Sequence, residues 1–186
     1  MPLPELILAS HSPRRRELLA ISGLPFTVRA RPVEEIREPA EPPEKYALRL
    51  ARSKAEAAWE GRNEVVLGAD TIVVLEGEVL EKPADPKEAR SMLERLSGRE
   101  HTVVTGICLR HPRGVVAASE STRVHFVPLE PAEIESYVAS GEPMDKAGAY
   151  GIQGLASKFI NRVEGCYFNV MGLPLALVYR HLKALW

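Results

Sequence analysis

The sequence predicts an α/β protein with an elongated mixed sheet flanked by helices, in two lobes with a cleft between them. Short apolar runs alternate with segments whose apolar residues recur at helical spacing. A long hairpin interrupts this alternation in the middle of the chain and makes the sheet mixed. The 186 residues, of which 45% are hydrophobic, suffice for one filled core and a smaller lobe.

The first half of the chain alternates between predicted strands and helices. A helix is expected before Gly61 because its apolar residues fall on one stripe. The segment 31–43 holds four prolines and is expected to be a loop. The apolar segment 65–75 is expected to be interrupted at 68–70 and to turn back at Gly77. The predicted strands are 6–10, 26–30, 65–75 and 79–80, and the predicted helices are 13–22 and 44–60.

The second half carries the central hairpin and ends in an amphipathic helix. Glycines at 98 and 141 mark the ends of two predicted helices. The hairpin turn is expected at 111–114, where Pro and Gly occur together. The glycine-rich segment 145–154 is expected to be irregular. The predicted helices are 86–96, 131–139 and 173–185, and the predicted strands are 101–109, 115–127 and 159–163.

Composition excludes several classes of function. A net charge of −1 provides no basic field for nucleic acid, so any affinity for a polyanion must be local. The two cysteines, Cys108 and Cys166, form neither a CxxC pair nor a disulfide framework, which favours a reduced compartment. We find neither an apolar run of about 20 residues nor a signal-peptide pattern. These observations predict a cytoplasmic protein that binds neither membrane nor nucleic acid.

A phosphate-binding turn is predicted where the first strand meets the first helix. Ser10 and Ser12 precede Pro13 and the three arginines 14–16. Ser12 is a favourable N-cap, and proline fits the first helical position. Backbone N–H groups at a helix start attract anions, and the guanidinium groups of Arg14 and Arg15 suit phosphate oxygens. The alternative is a solvated basic helix start.

Asp70 is the candidate for acid–base or metal chemistry. It is expected at the end of an apolar strand, where side chains enter the crevice of an open α/β sheet. A carboxylate there, followed by Thr71, could bind Mg²⁺ or act as a base toward water. The alternative is a turn aspartate that caps the strand end. The surrounding apolar sequence favours a functional charge with a partner.

Further charged residues extend this candidate site. Lys54 lies on the apolar stripe of its helix, so its stem is expected against the sheet. Together with Lys82 and the two arginines it would supply four cations for a triphosphate, although each lysine alone could equally face solvent. Glu34 and Glu35, in the proline-rich loop, are candidate outer metal ligands or ordinary loop charges.

The segment 145–154 is a second motif. Three glycines within seven residues allow its backbone to approach a flat ligand. Gln153, the single glutamine of the chain, offers one acceptor and two donors that complement the O4 and N3–H edge of uracil or thymine. The alternative is an exposed loop glutamine.

Taken together, these segments resemble the Maf family of nucleotide pyrophosphatases, also called septum-formation proteins, in the right order over essentially the whole length. The matching segments are 8–15, 68–73, Lys82-Pro83 with Asp85, 96–98 with His101 and Thr105-Gly106, 145–154 and 169–174. The resemblance implies one domain over residues 1–186, with a nucleotide-binding cleft. It also implies hydrolysis of a nucleoside triphosphate to the monophosphate and pyrophosphate with a divalent cation, Mg²⁺ or Mn²⁺, and a homodimer.

The same resemblance assigns roles to residues. It implies that Asp70 accepts a proton and that Arg14, Thr71 and Gln153 select the base. The form of the segment 145–154 resembles the branch that acts on dTTP and UTP, with expected roles in excluding modified nucleotides and in cell-division arrest. Two alternatives stay open: a 7-methyl-GTP pyrophosphatase, and a non-catalytic nucleotide-binding regulator of septum formation.

Overall fold

The computed structural model describes residues 5–61 and 63–185. The strands are β1 (Glu5–Leu8), β2 (Thr27–Val28), β3 (Glu64–Leu75), β4 (Glu78–Leu80), β5 (Glu100–His111), β6 (Gly114–Phe126) and β7 (Ile160–Glu164). The helices are α1 (Pro13–Ile21), α2 (Pro43–Ala58), α3 (Pro86–Leu96), α4 (Pro131–Ala139), α5 (Tyr167–Met171) and α6 (Leu175–Leu185). Short 3-10 helices cover Glu142–Asp145, Ala147–Ala149 and Leu155–Phe159. Within these two ranges, every helix is too short or too polar to cross a membrane.

The strands form a mixed sheet, as the sequence predicted. Their order is β2-β1-β3-β5-β6-β7, and β4 pairs with β3 outside this path. β1 is parallel to both β2 and β3, whereas β4 is antiparallel to β3 and β7 is antiparallel to β6. The parallel pairs come from the alternation of strands and helices in the first half, and the antiparallel pairs come from local hairpins and the return of β7.

The chain divides into two compact units, in agreement with the two predicted lobes. The first unit is formed by the chain up to Thr71, by Thr105–Glu120 and by the chain from Gly172 onward. The second unit is formed by Ile72–Val104 and Ser121–Met171. The predicted cleft, the elongated outline and the single domain over residues 1–186 stay predictions.

In the first unit, helix α2 packs closely against the sheet. A Cβ atom at Gly68 would lie 2.1 Å from the carbonyl oxygen of Ala51, and one at Gly106 would lie 2.6 Å from that of Ala47. Both alanines are completely buried. Because glycines of the sheet face alanines of the helix, the two backbones approach more closely than larger side chains would allow. This close packing sets side chains of α2 beside those of β3.

The predicted interruption of the apolar strand at 68–70 is wrong. β3 runs without a break from Glu64 to Leu75, so Asp70 lies within the strand and not at its end. Gly68 lies inside the strand, and its missing side chain leaves room for the approach of α2. A single glycine weakens a strand only modestly, and the β-branched residues on both sides keep the backbone extended.

Other differences concern the ends of elements and short helices. β2 covers only Thr27–Val28 of the predicted strand 26–30, and α6 begins at Leu175, two residues later than predicted. The sequence pattern missed α5 (Tyr167–Met171), because a helix of five residues is too short to show a helical period. The predicted bounds of α3 and α4 are confirmed.

A ring cluster fills part of the core of the second unit. The rings of His101, Phe126 and Tyr150 meet edge to face, with centroids 4.9 to 5.3 Å apart. His101 Nε2 hydrogen-bonds with the Tyr150 hydroxyl at 2.7 Å. Burial lowers the pKa of His101 to about 4, with a smaller contribution from the nearby His125. His101 is therefore a neutral residue of the core.

Acidification is expected to destabilise the protein through His101. In the unfolded chain this histidine takes up a proton near pH 6.5, whereas the folded state binds it only near pH 4. The free energy of unfolding should therefore fall as the pH drops through this window, by up to about 3 kcal/mol from this residue. Urea unfolding of the wild type and of His101→Gln across the window measures the effect. The variant should show a shallower pH dependence, and equal slopes would contradict the prediction.

Candidate functional site in the first unit and the Gln153 turn

The turn between β1 and α1 has the predicted capped geometry. Ser12 is the N-cap of α1, and its Oγ accepts a hydrogen bond from the Arg15 backbone N–H at 3.4 Å. Pro13 occupies the first helical turn. The Oγ of Ser10, a residue with only 9% of its surface exposed, accepts a hydrogen bond from the Ser12 N–H at 3.2 Å. The two serine hydroxyls thus fix the backbone where the helix begins.

The side chain of Arg15 is held by other parts of the first unit. Its Nε donates to the carbonyl oxygen of Gly172 at 2.9 Å, and its Nη2 donates to Thr71 Oγ1 at 3.0 Å. Thr71 Oγ1 also lies 2.9 Å from Thr105 Oγ1. Burial lowers the pKa of the Arg15 guanidinium, and the nearby Asp70 carboxylate counteracts this. Because both Nε and Nη2 donate to fixed acceptors, the plane of the Arg15 guanidinium is held in one orientation.

Asp70 and Lys54 form an ion pair within the first unit. Lys54 Nζ, on α2, lies 2.7 Å from Asp70 Oδ1 on β3. It also lies 2.7 Å from Oε1 of Glu35. The lysine side chain is 14% exposed and that of Asp70 is 10% exposed. The predicted position of the Lys54 stem against the sheet is confirmed, and its ammonium group lies between two carboxylates.

The proline-rich loop that carries Glu35 is fixed to helix α2. The Tyr46 hydroxyl donates to the backbone carbonyl oxygen of Glu35 at 3.0 Å. Arg49 Nη2 donates to the carbonyl oxygen of Ile36 at 2.9 Å, and its guanidinium binds both carboxylate oxygens of Glu41 at 2.7 Å. The Arg49 hydrogen bond is the main cause of a lowered pKa at Glu41. These bonds position Glu35 although the loop has no regular secondary structure.

Some predicted site residues lie outside these contacts. Glu34 is exposed, and in the described part of the chain it is not among the ion-pair partners of Lys54. Arg14 is half-buried in the first turn of α1, and its charge contributes to the lowered pKa of Arg15. Arg16, next in sequence, is exposed.

The remaining two predicted residues belong to the second unit. Lys82 is exposed in the extended segment that follows β4. Gln153 is exposed in a tight turn, which the Gly154 N–H closes by donating to the carbonyl oxygen of Gly151 at 3.0 Å. An exposed glutamine amide on a tight turn is available to a ligand from solvent.

Sequence reasoning missed the groups that orient these side chains. The Gly172 carbonyl and the Thr105 hydroxyl contact the Arg15–Thr71 pair, and Tyr137 and Glu142 contact the backbone beside Gln153. A backbone carbonyl has no sequence signature. The other three are ordinary polar residues within regular elements or turns, and no spacing links them to their partners.

The arrangement in the first unit suits chemistry on a phosphate group. A capped helix N-terminus and an oriented guanidinium are available to bind anionic oxygens. A largely buried carboxylate, held by an ammonium group, can orient or deprotonate a water molecule.

Comparisons with known proteins decide the family. The family model described as Maf-like protein matches residues 5–185. The chain belongs to the Maf-like protein family. The family resemblance drawn from the sequence segments is thereby confirmed.

Several similar proteins from bacteria are named dTTP/UTP pyrophosphatase. A protein of Koribacter versatilis named dTTP/UTP pyrophosphatase is 51% identical over 179 residues, which are 96% of this chain and 93% of the relative. One from an Anaeromyxobacter species with this name is 55% identical, over 92% of this chain and 84% of its own. One from Escherichia coli O157:H7, also so named, is 49% identical over 97% of this chain and 93% of its own.

Solved structures show a weaker likeness to this Maf-like protein. The Staphylococcus aureus Ham1 protein is 18% identical with a TM-score of 0.46, and the match covers 66% of this chain and 71% of that one.

Proposed function

We propose that this Maf-like protein is a nucleoside triphosphate pyrophosphatase that hydrolyses dTTP and UTP to the monophosphate and pyrophosphate. The observation that carries the proposal is the Lys54–Asp70 ion pair in the same unit as the oriented Arg15. Identities near 50% to relatives named dTTP/UTP pyrophosphatase, over nearly the whole chain, support the same activity.

The first unit carries out the phosphate chemistry in this proposal. The start of α1, with Ser10, Ser12 and Arg14, binds phosphate oxygens, and Arg15 stabilises the charge that develops during cleavage of the α–β anhydride bond. Asp70 orients the attacking water and takes up its proton. Lys54 fixes the Asp70 carboxylate through the ion pair at 2.7 Å. Lys82 serves as a further phosphate-binding cation.

A divalent cation fits the carboxylates of the first unit. Asp70 and Glu35 both lie 2.7 Å from Lys54 Nζ, so a divalent cation would share these carboxylates with the ammonium group or displace it. The described residues contain no group of three or more His, Cys, Asp or Glu side chains that could hold a metal ion. One or two carboxylates together with substrate phosphates are, however, the usual ligands of Mg²⁺. Asp70 and Glu35 would hold Mg²⁺ or Mn²⁺, with Glu34 as an outer ligand. When bound, the cation neutralises charge on the leaving pyrophosphate.

Base selection in this proposal depends on Gln153. Its amide can accept from the N3–H and donate to the O4 of uracil or thymine, and cytosine reverses this pattern. The structure supports the proposal because the side chain is exposed on a tight turn. Thr71 and Arg14 are the other proposed selectors, and the Thr71 hydroxyl additionally holds Arg15. The expected cytoplasmic location, homodimer, exclusion of modified nucleotides and link to cell-division arrest stay predictions.

A nucleotide panel tests both the activity and the base selection. Pyrophosphate release is measured with Mg²⁺ or Mn²⁺ against dTTP, UTP, CTP, GTP and 7-methyl-GTP. Fastest turnover is expected with dTTP and UTP. Gln153→Ala should raise KM for these two about tenfold with little change in kcat, because a contact to the base acts in the ground state and the transition state alike. Ser157→Ala, an exposed polar residue four positions later, is the matched control and should behave as wild type.

The alternatives predict other outcomes of the same panel. Fastest turnover of 7-methyl-GTP would replace the pyrimidine assignment by the second branch of the family. Nucleotide binding without turnover of any triphosphate would favour the non-catalytic regulator.

A further inference from the structure

The Gln153 turn, Gly151–Gly154, is tied to its surroundings at both ends. Gly151 donates its N–H to the Tyr137 hydroxyl at 3.2 Å. Immediately after the turn, the Leu155 N–H lies 3.2 and 3.1 Å from the two carboxylate oxygens of Glu142. The backbone is thus fixed two positions before and two positions after the residue that we propose reads the base.

One side-chain pair supplies both of these contacts. The Tyr137 hydroxyl donates to Glu142 Oε1 at 2.9 Å. Tyr137 is 3% exposed, and its ring packs edge to face against Phe159 with centroids 5.5 Å apart. Burial, followed by the hydrogen bond to Glu142, raises the pKa of the Tyr137 hydroxyl. The hydroxyl therefore remains protonated and can donate to the carboxylate while it accepts from the turn.

A side chain at either glycine of the turn would displace a neighbouring side chain. A Cβ atom at Gly154 would lie 2.3 Å from Glu142 Oε1, and one at Gly151 would lie 2.7 Å from Lys146 Cε. Lys146 in turn donates from Nζ to the Glu142 carbonyl oxygen at 2.6 Å. The backbone of Gly154 is extended, with φ of −104°, so its conformation alone would accept other residues. The turn and the pair are therefore closely packed parts of one arrangement.

We propose that Tyr137 and Glu142 are positioning residues for base selection, which act by holding the Gln153 turn in a single conformation. This inference rests on the proposed function, in which Gln153 reads a pyrimidine edge. Discrimination between uracil and cytosine requires the amide oxygen and nitrogen to face the correct partners. A backbone fixed before binding lowers the ordering cost for the matching nucleotide. When the turn loosens, this ordering cost rises for the matching nucleotide, and the preference for uracil over cytosine falls.

Tyr137→Phe tests the inference with the smallest change, because the ring stays and only the hydroxyl is lost. The measured quantity is the ratio of kcat/KM for UTP to that for CTP. This ratio is expected to fall about fivefold to tenfold, mainly through a higher KM for UTP. Inhibition by pyrophosphate, which has no base, should be unchanged. Tyr167→Phe removes a tyrosine hydroxyl of α5, outside the segment 145–154, and this control should keep the ratio.

Two further variants keep the test decisive. In a Gln153→Ala background, Tyr137→Phe should cause no further change in the ratio, since the group that it positions is gone. Glu142→Gln, which keeps one oxygen acceptor, should lower the ratio less than Tyr137→Phe, and it provides the test if Tyr137→Phe does not fold.

Different kinetic results would contradict the positioning role of Tyr137 and Glu142 and the proposed pyrophosphatase activity. Equal losses of kcat/KM for both nucleotides, or a wild type that does not discriminate between them, would overturn the positioning role. Absence of turnover with every nucleotide in the wild type would overturn the proposed function, and the inference with it.

Discussion

Asp70→Asn is expected to lower kcat for dTTP and UTP about a thousandfold, the range for loss of a positioned general base. Asparagine keeps the size of the side chain and retains an oxygen that can accept from Lys54 Nζ, which lies 2.7 Å from the aspartate. It cannot take up a proton from water, and it is a weaker ligand for a divalent cation. The loss should therefore appear in pyrophosphate release at saturating nucleotide, with the fold intact by circular dichroism and urea unfolding.

The matched control for Asp70→Asn is Glu64→Gln, on the same strand. Glu64 is 1% exposed and its Oε2 lies 2.5 Å from Arg29 Nη2, so this variant also neutralises a buried, paired carboxylate of β3. It is expected to lower the stability of the first unit while kcat stays near the wild-type value. If Asp70→Asn kept more than about a tenth of the wild-type kcat, Asp70 could not be the base.

Arg15→Lys is expected to lower kcat about a hundredfold, as for removal of one oriented transition-state donor. Lysine keeps the positive charge but has no planar fork. Its single ammonium nitrogen replaces the two separate nitrogens, Nε and Nη2, that donate to the Gly172 carbonyl and Thr71 Oγ1 at 2.9 and 3.0 Å, so the fixed arrangement of donors is lost. The ammonium group will therefore be misplaced although the net charge is unchanged.

Arg16→Lys, next in sequence and exposed, is the matched control for this variant. It makes the same chemical change on the same helix and should leave kcat and KM unchanged. Steady-state kinetics of both variants with dTTP separate orientation from charge. Equal activity of Arg15→Lys and the wild type would show that only the charge at position 15 matters.

The local sequence was sufficient to predict helix caps and helix ends, because these features depend on residues close together in the chain. The cap by Ser12, the proline after it and the bounds of α3 and α4 are confirmed. Capping residues and helix-stopping glycines act within a few positions, so their patterns can be seen in the sequence. The order of the motifs was also sufficient to assign the family, which the match over residues 5–185 confirms.

The tertiary structure decided the partners of the site residues. Arg15 is oriented by a carbonyl 157 positions away, and Lys54 of α2 meets Asp70 of β3, where Gly68 lets the two elements lie close together. The role of Gly68 likewise depends on this packing, because its missing side chain leaves room for α2. Contacts between distant positions depend on how whole elements pack, and no local pattern encodes them. The sequence thus determined which residues carry groups suited to catalysis and phosphate binding. The fold determined which of these residues lie in contact.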